Sequence, residues 1–177
     1  MTRCVTDYLV QEHQELSLLL NELQEQLGIL RLARDRRKTA DRLTGLRRKV
    51  AEALHNHVVE EEQILYPALE EHVQGIAFTL ERMRSEHDAG EQAQKTFHQS
   101  LDRLLQGATN PHEVMQSGRQ YIIWLRHHLL DENGRLFPMV ERGLDLSIQQ
   151  TVRRAMEEMS QESPSRVSEG QTLAARA

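Results

Sequence analysis

Apolar side chains recur along this chain in steps of three and four, the spacing that lines one face of an α-helix. The first run is Leu9, His13, Leu16, Leu20, Leu23, Leu27 and Leu30. A second passes through Leu43, Leu46, Val50, Ala53, His57, Glu61, Ile64 and Ala68. A third follows Ile76, Leu80, Met83, His87, Gly90, Gln94, Phe97, Leu101 and Leu104, and a fourth Val114, Gly118, Tyr121, Leu125, His128 and Glu132. Three breaks separate them: the charged stretch 31–38, the junction bracketed by Pro67 and Gly75, and the run Gly107-Ala108-Thr109-Asn110-Pro111. Pro138 is expected to end or kink the fourth helix. Residues 145–162 predict a fifth, shorter helix, and 163–177, with little to bury, a disordered tail. Long helices with short connections predict an all-α fold, an antiparallel up-down four-helix bundle with a short C-terminal helix, as one domain over 1–162.

Composition agrees with helices: Leu, Glu, Gln and Arg dominate and aromatics are scarce. The single cysteine, Cys4, excludes an intramolecular disulfide and fits a reducing cytoplasm. Residues 1–10 lack a signal-peptide layout, and no apolar run nears the ~20 residues that span a bilayer, so a soluble cytoplasmic protein is expected, without a membrane role. A net charge of −5 argues against nucleic-acid binding. The segment Arg31–Lys49 is locally basic, with nine Lys or Arg against Asp35 and Asp41. A solvated helix face explains it. A docking site for an anionic partner is the alternative, and no protein partner is identified.

The stripes are not wholly apolar. Each carries a histidine, and two carry a glutamate as well. The second and fourth helices share a block: His57, Glu61, Leu65, Tyr66 and Pro67 recur 71 positions later as His128, Glu132, Leu136, Phe137 and Pro138. His13 and His87 precede the two blocks by 44 and 41 residues, so the chain reads as a duplicated helix pair. Spacing of i and i+4 puts His and Glu on one helix face. Two such turns facing each other, with a histidine from each remaining helix, bring four imidazoles and two carboxylates to one layer. Iron accepts both donor types, and carboxylates can bridge two ions.

Two octahedral irons offer twelve positions. Four histidines fill four, two bridging glutamates four, and a bridging oxide or hydroxide two. Glu91, one turn after His87, could take another, leaving an opening for a small ligand. Any one buried histidine is more often a hydrogen-bonded core residue than a ligand. Six ionisable groups on core stripes are different, because burying uncompensated charge costs several kcal/mol each. His127 could replace His128, since it too reaches Glu132. His55 and His127 are otherwise expected beside the cluster or exposed, and His72, His98 and His112 at the surface. Glu60, Glu62 and Asp131 are expected on the flanks, with Glu62 the best placed to support a ligand. Gly90 either makes room for a ligand or a close helix, or is accidental.

The segments HVVEEEQILYP and HLLDENGRLFP, with His13 in EHQEL and His87 in SEHDAG, resemble the hemerythrin-like (HHE cation-binding) family over about residues 8–140. The resemblance implies a four-helix bundle with a non-haem di-iron site. It implies His13, His57, His87 and His128 as terminal ligands and Glu61 and Glu132 as bridges. In the oxygen-carrying members the third helix is similar but offers His-x-x-x-His, where this chain has His87-x-x-x-Glu91. Their fourth-helix carboxylate is an Asp after His-x4. The carboxylate-richer set here looks more like the bacterial and sensor branches, and an anionic ligand favours ferric iron, which works against reversible oxygen carriage. Ferritin-like sites need two Glu-x-x-His motifs, and only Glu52-x-x-His55 matches.

Three roles fit: binding oxygen or nitric oxide, redox chemistry on peroxide or nitric oxide in stress defence or iron-centre repair, and sensing of iron or oxygen through a partner. The residues do not decide whether the protein is an enzyme.

Overall fold

A computed structural model describes residues 4–32 and 36–162. The expected tail, 163–177, lies outside them. Every element among the described residues is helical: α1 (Val5–Leu32), α2 (Arg36–Glu60), α3 (Tyr66–His72), α4 (Ala77–Leu105), α5 (Pro111–Asp131), α6 (Phe137–Gly143) and α7 (Leu146–Glu162). Two π-helical turns, π1 (Glu61–Leu65) and π2 (Glu132–Leu136), join α2 to α3 and α5 to α6. The long helices pack as a bundle, α1 against α2 and α5, and α4 against the same two. Among the described residues, no helix is long and apolar enough to cross a membrane.

The first stripe is buried along its whole length, from Leu9 to Leu30. So is the fourth, from Val114 to Glu132. The second departs from expectation after Glu61: Leu65 and Leu69 are buried, whereas Ile64 and Ala68 are only partly so. The π turn is the cause. It adds one residue to the turn, so the buried face advances by four, from 57 to 61, 65 and 69. The same happens at 128, 132, 136 and 140.

Neither proline ends its rod. Each stands second in the segment after a π turn, where Tyr66 N–H donates to Glu61 O, and Phe137 N–H to Glu132 O. The ladder has already shifted register there, so a residue with no N–H and a bulky ring is accommodated.

The other breaks are sharp. The first is narrower than the expected 31–38, because α1 runs to Leu32 and α2 starts at Arg36. Arg and Lys propagate helices well, so charge alone does not end one. Gly75 and Gly107 take positive φ, +76° and +73°, where side chains with a Cβ are disfavoured. Asn110 caps α5, its Oδ1 accepting from the N–H groups of His112 and Glu113 at 2.9 and 3.3 Å. Asp145 caps α7 likewise, accepting from Ser147 and Ile148 N–H, both at 3.0 Å.

The apolar interior is divided in two. One core holds Leu16 to Leu30, Leu43 to Leu54, Phe97, Leu101, Tyr121 and Leu125. The other holds Val5, Leu9, Leu65, Leu69, Leu80, Met83, Leu136 and Val140, with Val152 and Met156 of α7. Every long helix crosses from one core to the other, and at each crossing stands a histidine: His13, His57, His87 or His128. The ionisable groups thus form a polar slab between two apolar layers.

Candidate metal centre

His57, Glu61, His128 and Glu132 are buried and offer ligand atoms that all lie within 4.8 Å of one another. His13 and His87 join from the other two helices. His13 Nε2 is 3.1 Å from Glu132 Oε2, and His87 Nε2 is 3.5 Å from Glu61 Oε2. The imidazoles form two pairs, His13 with His57 and His87 with His128, each edge to face at 4.9 Å between ring centres.

Glu132 lies between these pairs. Its Oε2 faces His13 Nε2 and His57 Nε2 at 3.1 and 3.4 Å. Its Oε1 faces His128 Nε2 and His87 Nε2 at 3.0 and 4.0 Å. Glu61 sits across the layer, 3.9 Å from His57 Nε2, with Tyr66 O–H donating to its Oε2 at 3.1 Å. Both carboxylates stand on the first residue of a π turn.

Three of the four histidines are oriented by a carboxylate at Nδ1. Glu12 receives His57 Nδ1–H at 3.2 Å, Glu62 receives His87 Nδ1–H at 2.7 Å, and Glu86 lies 3.4 Å from His128 Nδ1. Each such bond turns Nε2 inward, the arrangement by which proteins orient metal-ligating histidines. Glu62 was legible in the sequence. Glu12 and Glu86 were missed, although the signal was present: each is the Glu of a Glu-His pair and reaches not its neighbour but the histidine of the adjacent helix.

Aromatic rings cover the outer faces. Phe137 stacks on His13 at 5.0 Å, Tyr66 on His87 at 6.1 Å, and Trp124 on His128 at 5.3 Å. The aromatic before each proline of the repeat therefore covers a histidine of another helix.

Other expected residues stand farther out. Glu91 is exposed and lines, with His87, a cleft that opens at the surface. On α4 the buried face runs 83, 87, 90, so Gly90 takes the inward position instead. His55, His72, His112 and His127 are exposed. His98, expected at the surface, is half-buried, and burial with Arg47 nearby lowers its pKa. Glu60, expected on a flank, is buried, because Tyr8 of α1 covers it and donates its O–H at 2.9 Å. Its counterpart in the repeat, Asp131, pairs with Arg82.

Gly90 is explained by packing. A Cβ there would stand 2.1 Å from the Trp124 indole, which is held between Tyr121 and His128. Overpacking costs about 1–3 kcal/mol, and alanine's better helix propensity returns up to about 1. Gly90→Ala should therefore lower stability by about 1–2 kcal/mol and shift the emission of Trp124, the only tryptophan. An unchanged unfolding midpoint with unchanged emission would count against this packing role.

The charges in the slab compensate one another rather than standing alone. Burial works against a charged His57, but Glu61, Glu12 and Glu132 outweigh it and hold its pKa well above the usual value. His87 is raised to about 10: burial opposes the charge, and bonds to Glu132, Glu61 and Glu62 override it. Glu132 is held well below the usual carboxylate range because His128, His13 and His57 outweigh its burial.

The donor set passes a direct test of fit to a metal. Among the described residues, His87 Nε2, His128 Nε2, Glu61 Oε1 and Glu132 Oε1 are buried and make no well-aligned hydrogen bond, although His128 Nε2 and Glu132 Oε1 lie only 3.0 Å apart. Buried polar atoms are rarely left so. Here four such atoms, two imidazole nitrogens and two carboxylate oxygens, belong to one layer, and a cation would satisfy them all.

No curated protein and no solved structure matches the chain. A family model does, that of the hemerythrin HHE cation binding domain over residues 4–140, and the chain belongs to that family.

Proposed function

We propose that the slab holds two non-haem iron ions and that the protein binds or reacts with a small ligand there, oxygen, nitric oxide or peroxide. The observation that carries this reading is Glu132, whose two oxygens each face a different pair of imidazoles. A carboxylate so placed could serve both ions, with His13, His57, His87 and His128 as the imidazoles that would hold them. Mixed imidazole and carboxylate donors suit iron.

The residues would divide the work. The four histidines hold the ions terminally, Glu61 and Glu132 between them. Glu12, Glu62 and Glu86 fix the rings, and Tyr66 orients Glu61. The two apolar cores exclude water from above and below. The iron pair, when bound, supplies exchangeable electrons and open positions for the small ligand. Exposed Glu91 takes none of these positions, so the set at the ions is poorer in carboxylate than the sequence alone suggests. The alternation of the two cores along successive helices supports an up-down antiparallel order. The single cysteine supports a cytoplasmic setting.

Anaerobic loading with ferrous iron, then oxidation, should give about two irons per chain and the visible bands of a bridged diferric pair. One ion per chain, or none, would sink the dinuclear reading. Exposing the diferrous protein to air then separates the roles. A reversible adduct supports carriage, and rapid irreversible oxidation supports redox chemistry.

Metal uptake should also expel protons. His57 and His87 both have raised pKa values, and His87, at about 10, is charged at pH 8 before loading. Metal requires the neutral imidazole. Loading at pH 8 should thus release at least one proton, from His87. The sign follows: the proton-linked stability of both rings is full below about 6.5 and is lost as pH rises through the folded values, about 10 for His87. Competition for metal fades over the same window, so affinity should rise with pH up to about 10. A pH-stat titration that detects no proton release would contradict this.

A further inference from the structure

Between α2, α4 and α5 a cleft of about 230 Å³ opens to the surface directly beside the metal layer. Its apolar lining is Ala51, Leu54 and Val58 from α2 and Trp124 from α5, with His55 and Gln94 adding polar side chains. One site histidine, His87, also lines it. The carboxylates Glu62, Asp88 and Glu91 stand around it. Trp124 is half-buried, with one side in the cleft and its ring nearly parallel to His128, 12° apart at 5.3 Å. Gly90, by lacking a Cβ, makes room for the indole in this place.

We propose that this cleft binds a small, neutral, planar aromatic reductant of the hydroquinone class against Trp124, and that its electrons reach the metal layer through the Trp124–His128 stack and His87. The size fits, since a cavity of about 150 Å³ lined by apolar groups admits benzene. The apolar side chains and the edge of the indole, whose faces are taken by Tyr121 and His128, suit an aromatic ring, which gains from an edge-to-face contact as well as burial. The surrounding carboxylates disfavour anionic donors. The small ligands of the iron pair need no aromatic floor. A donor does need one where it must lie in contact with a ring that itself contacts a metal-holding imidazole. The step balances: the hydroquinone loses two electrons and two protons and becomes the quinone. The electrons convert two ferric ions to two ferrous, and the protons leave to solvent at the open mouth. The donor role rests on the di-iron reading above; the binding site does not.

The test uses the full-length protein as purified, titrated anaerobically with benzene-1,4-diol while Trp124 emission is followed. Saturable quenching is expected, weakened at least tenfold in Ala51→Phe, which fills the cleft from its α2 wall. Val58→Phe serves as a second filler if the first disturbs the helix content. Non-saturating quenching, equal in parent and filled variants, would overturn the site. The oxidised iron-loaded protein is then mixed with benzene-1,4-diol. Bleaching of the visible bands should be at least tenfold slower in Ala51→Phe and in Trp124→Leu, while dithionite reduces all three alike. Equal rates with benzene-1,4-diol would overturn the electron route. Failure to load iron would remove the donor role together with the di-iron reading, whereas loss of saturable quenching overturns the cleft by itself.

Discussion

Glu132→Ala should leave less than one iron per chain after anaerobic loading, against about two in the parent. Glu132 is fully buried and lies within 4.0 Å of all four imidazoles, so on the dinuclear reading proposed above its removal would take a donor from both ions at once. It should also destabilise the metal-free protein by about 3 kcal/mol, because it strands buried imidazolium charge that had a partner. Glu61→Ala should lose metal too, though Glu61 lies farther from its imidazoles. Glu91→Ala is the control. Glu91 is exposed, so its variant should keep both irons and the parent's midpoint. Equal iron retention in all three variants, read by metal analysis, would refute these roles.

The second large effect separates two adjacent histidines. His128→Ala should lose at least one iron and the stability that bound metal adds. It removes an imidazole 3.0 Å from Glu132, leaves Glu86 facing a void, and takes away the surface on which Trp124 stacks. His127→Ala should retain nearly all its iron. One residue turns the side chain by about 100° around the helix, and His127 is exposed. Thermal unfolding with and without iron checks both: the metal-dependent shift should shrink in the first variant and persist in the second. The reverse ranking would mean that α5 presents its other face to the metals.

Much of this site was legible because ligand spacing and helix period are the same physical fact. His57 with Glu61, and His128 with Glu132, are close neighbours one turn apart in a helix, and their recurrence at an offset of 71 marks both at once. His13 and His87 stood on stripes filled mostly by Leu, Ile, Met and Phe. Glu91 is exposed where a ligand was expected, for a related reason. Positions i+3 and i+4 are both near neighbours of His87, and the sequence does not say on which side of the stripe the partner helix lies. The Trp124 indole occupies that side, over Gly90.

What the sequence by itself determined is the set of helices, the six ionisable residues on their inner faces, and the family to which that pattern belongs. These follow from periodicity, which is local. Only the tertiary structure decided what lies across a helix boundary. It alone brought Glu12 to His57, Glu86 to His128 and Phe137 to His13, contacts between residues 42 to 124 positions apart in no regular series. It also revealed the two π turns, which slide the buried face from Ile64 to Leu65. A side chain's own period sets which way it points. Its partner depends on the crossing of two helices, and no single stretch of chain encodes that.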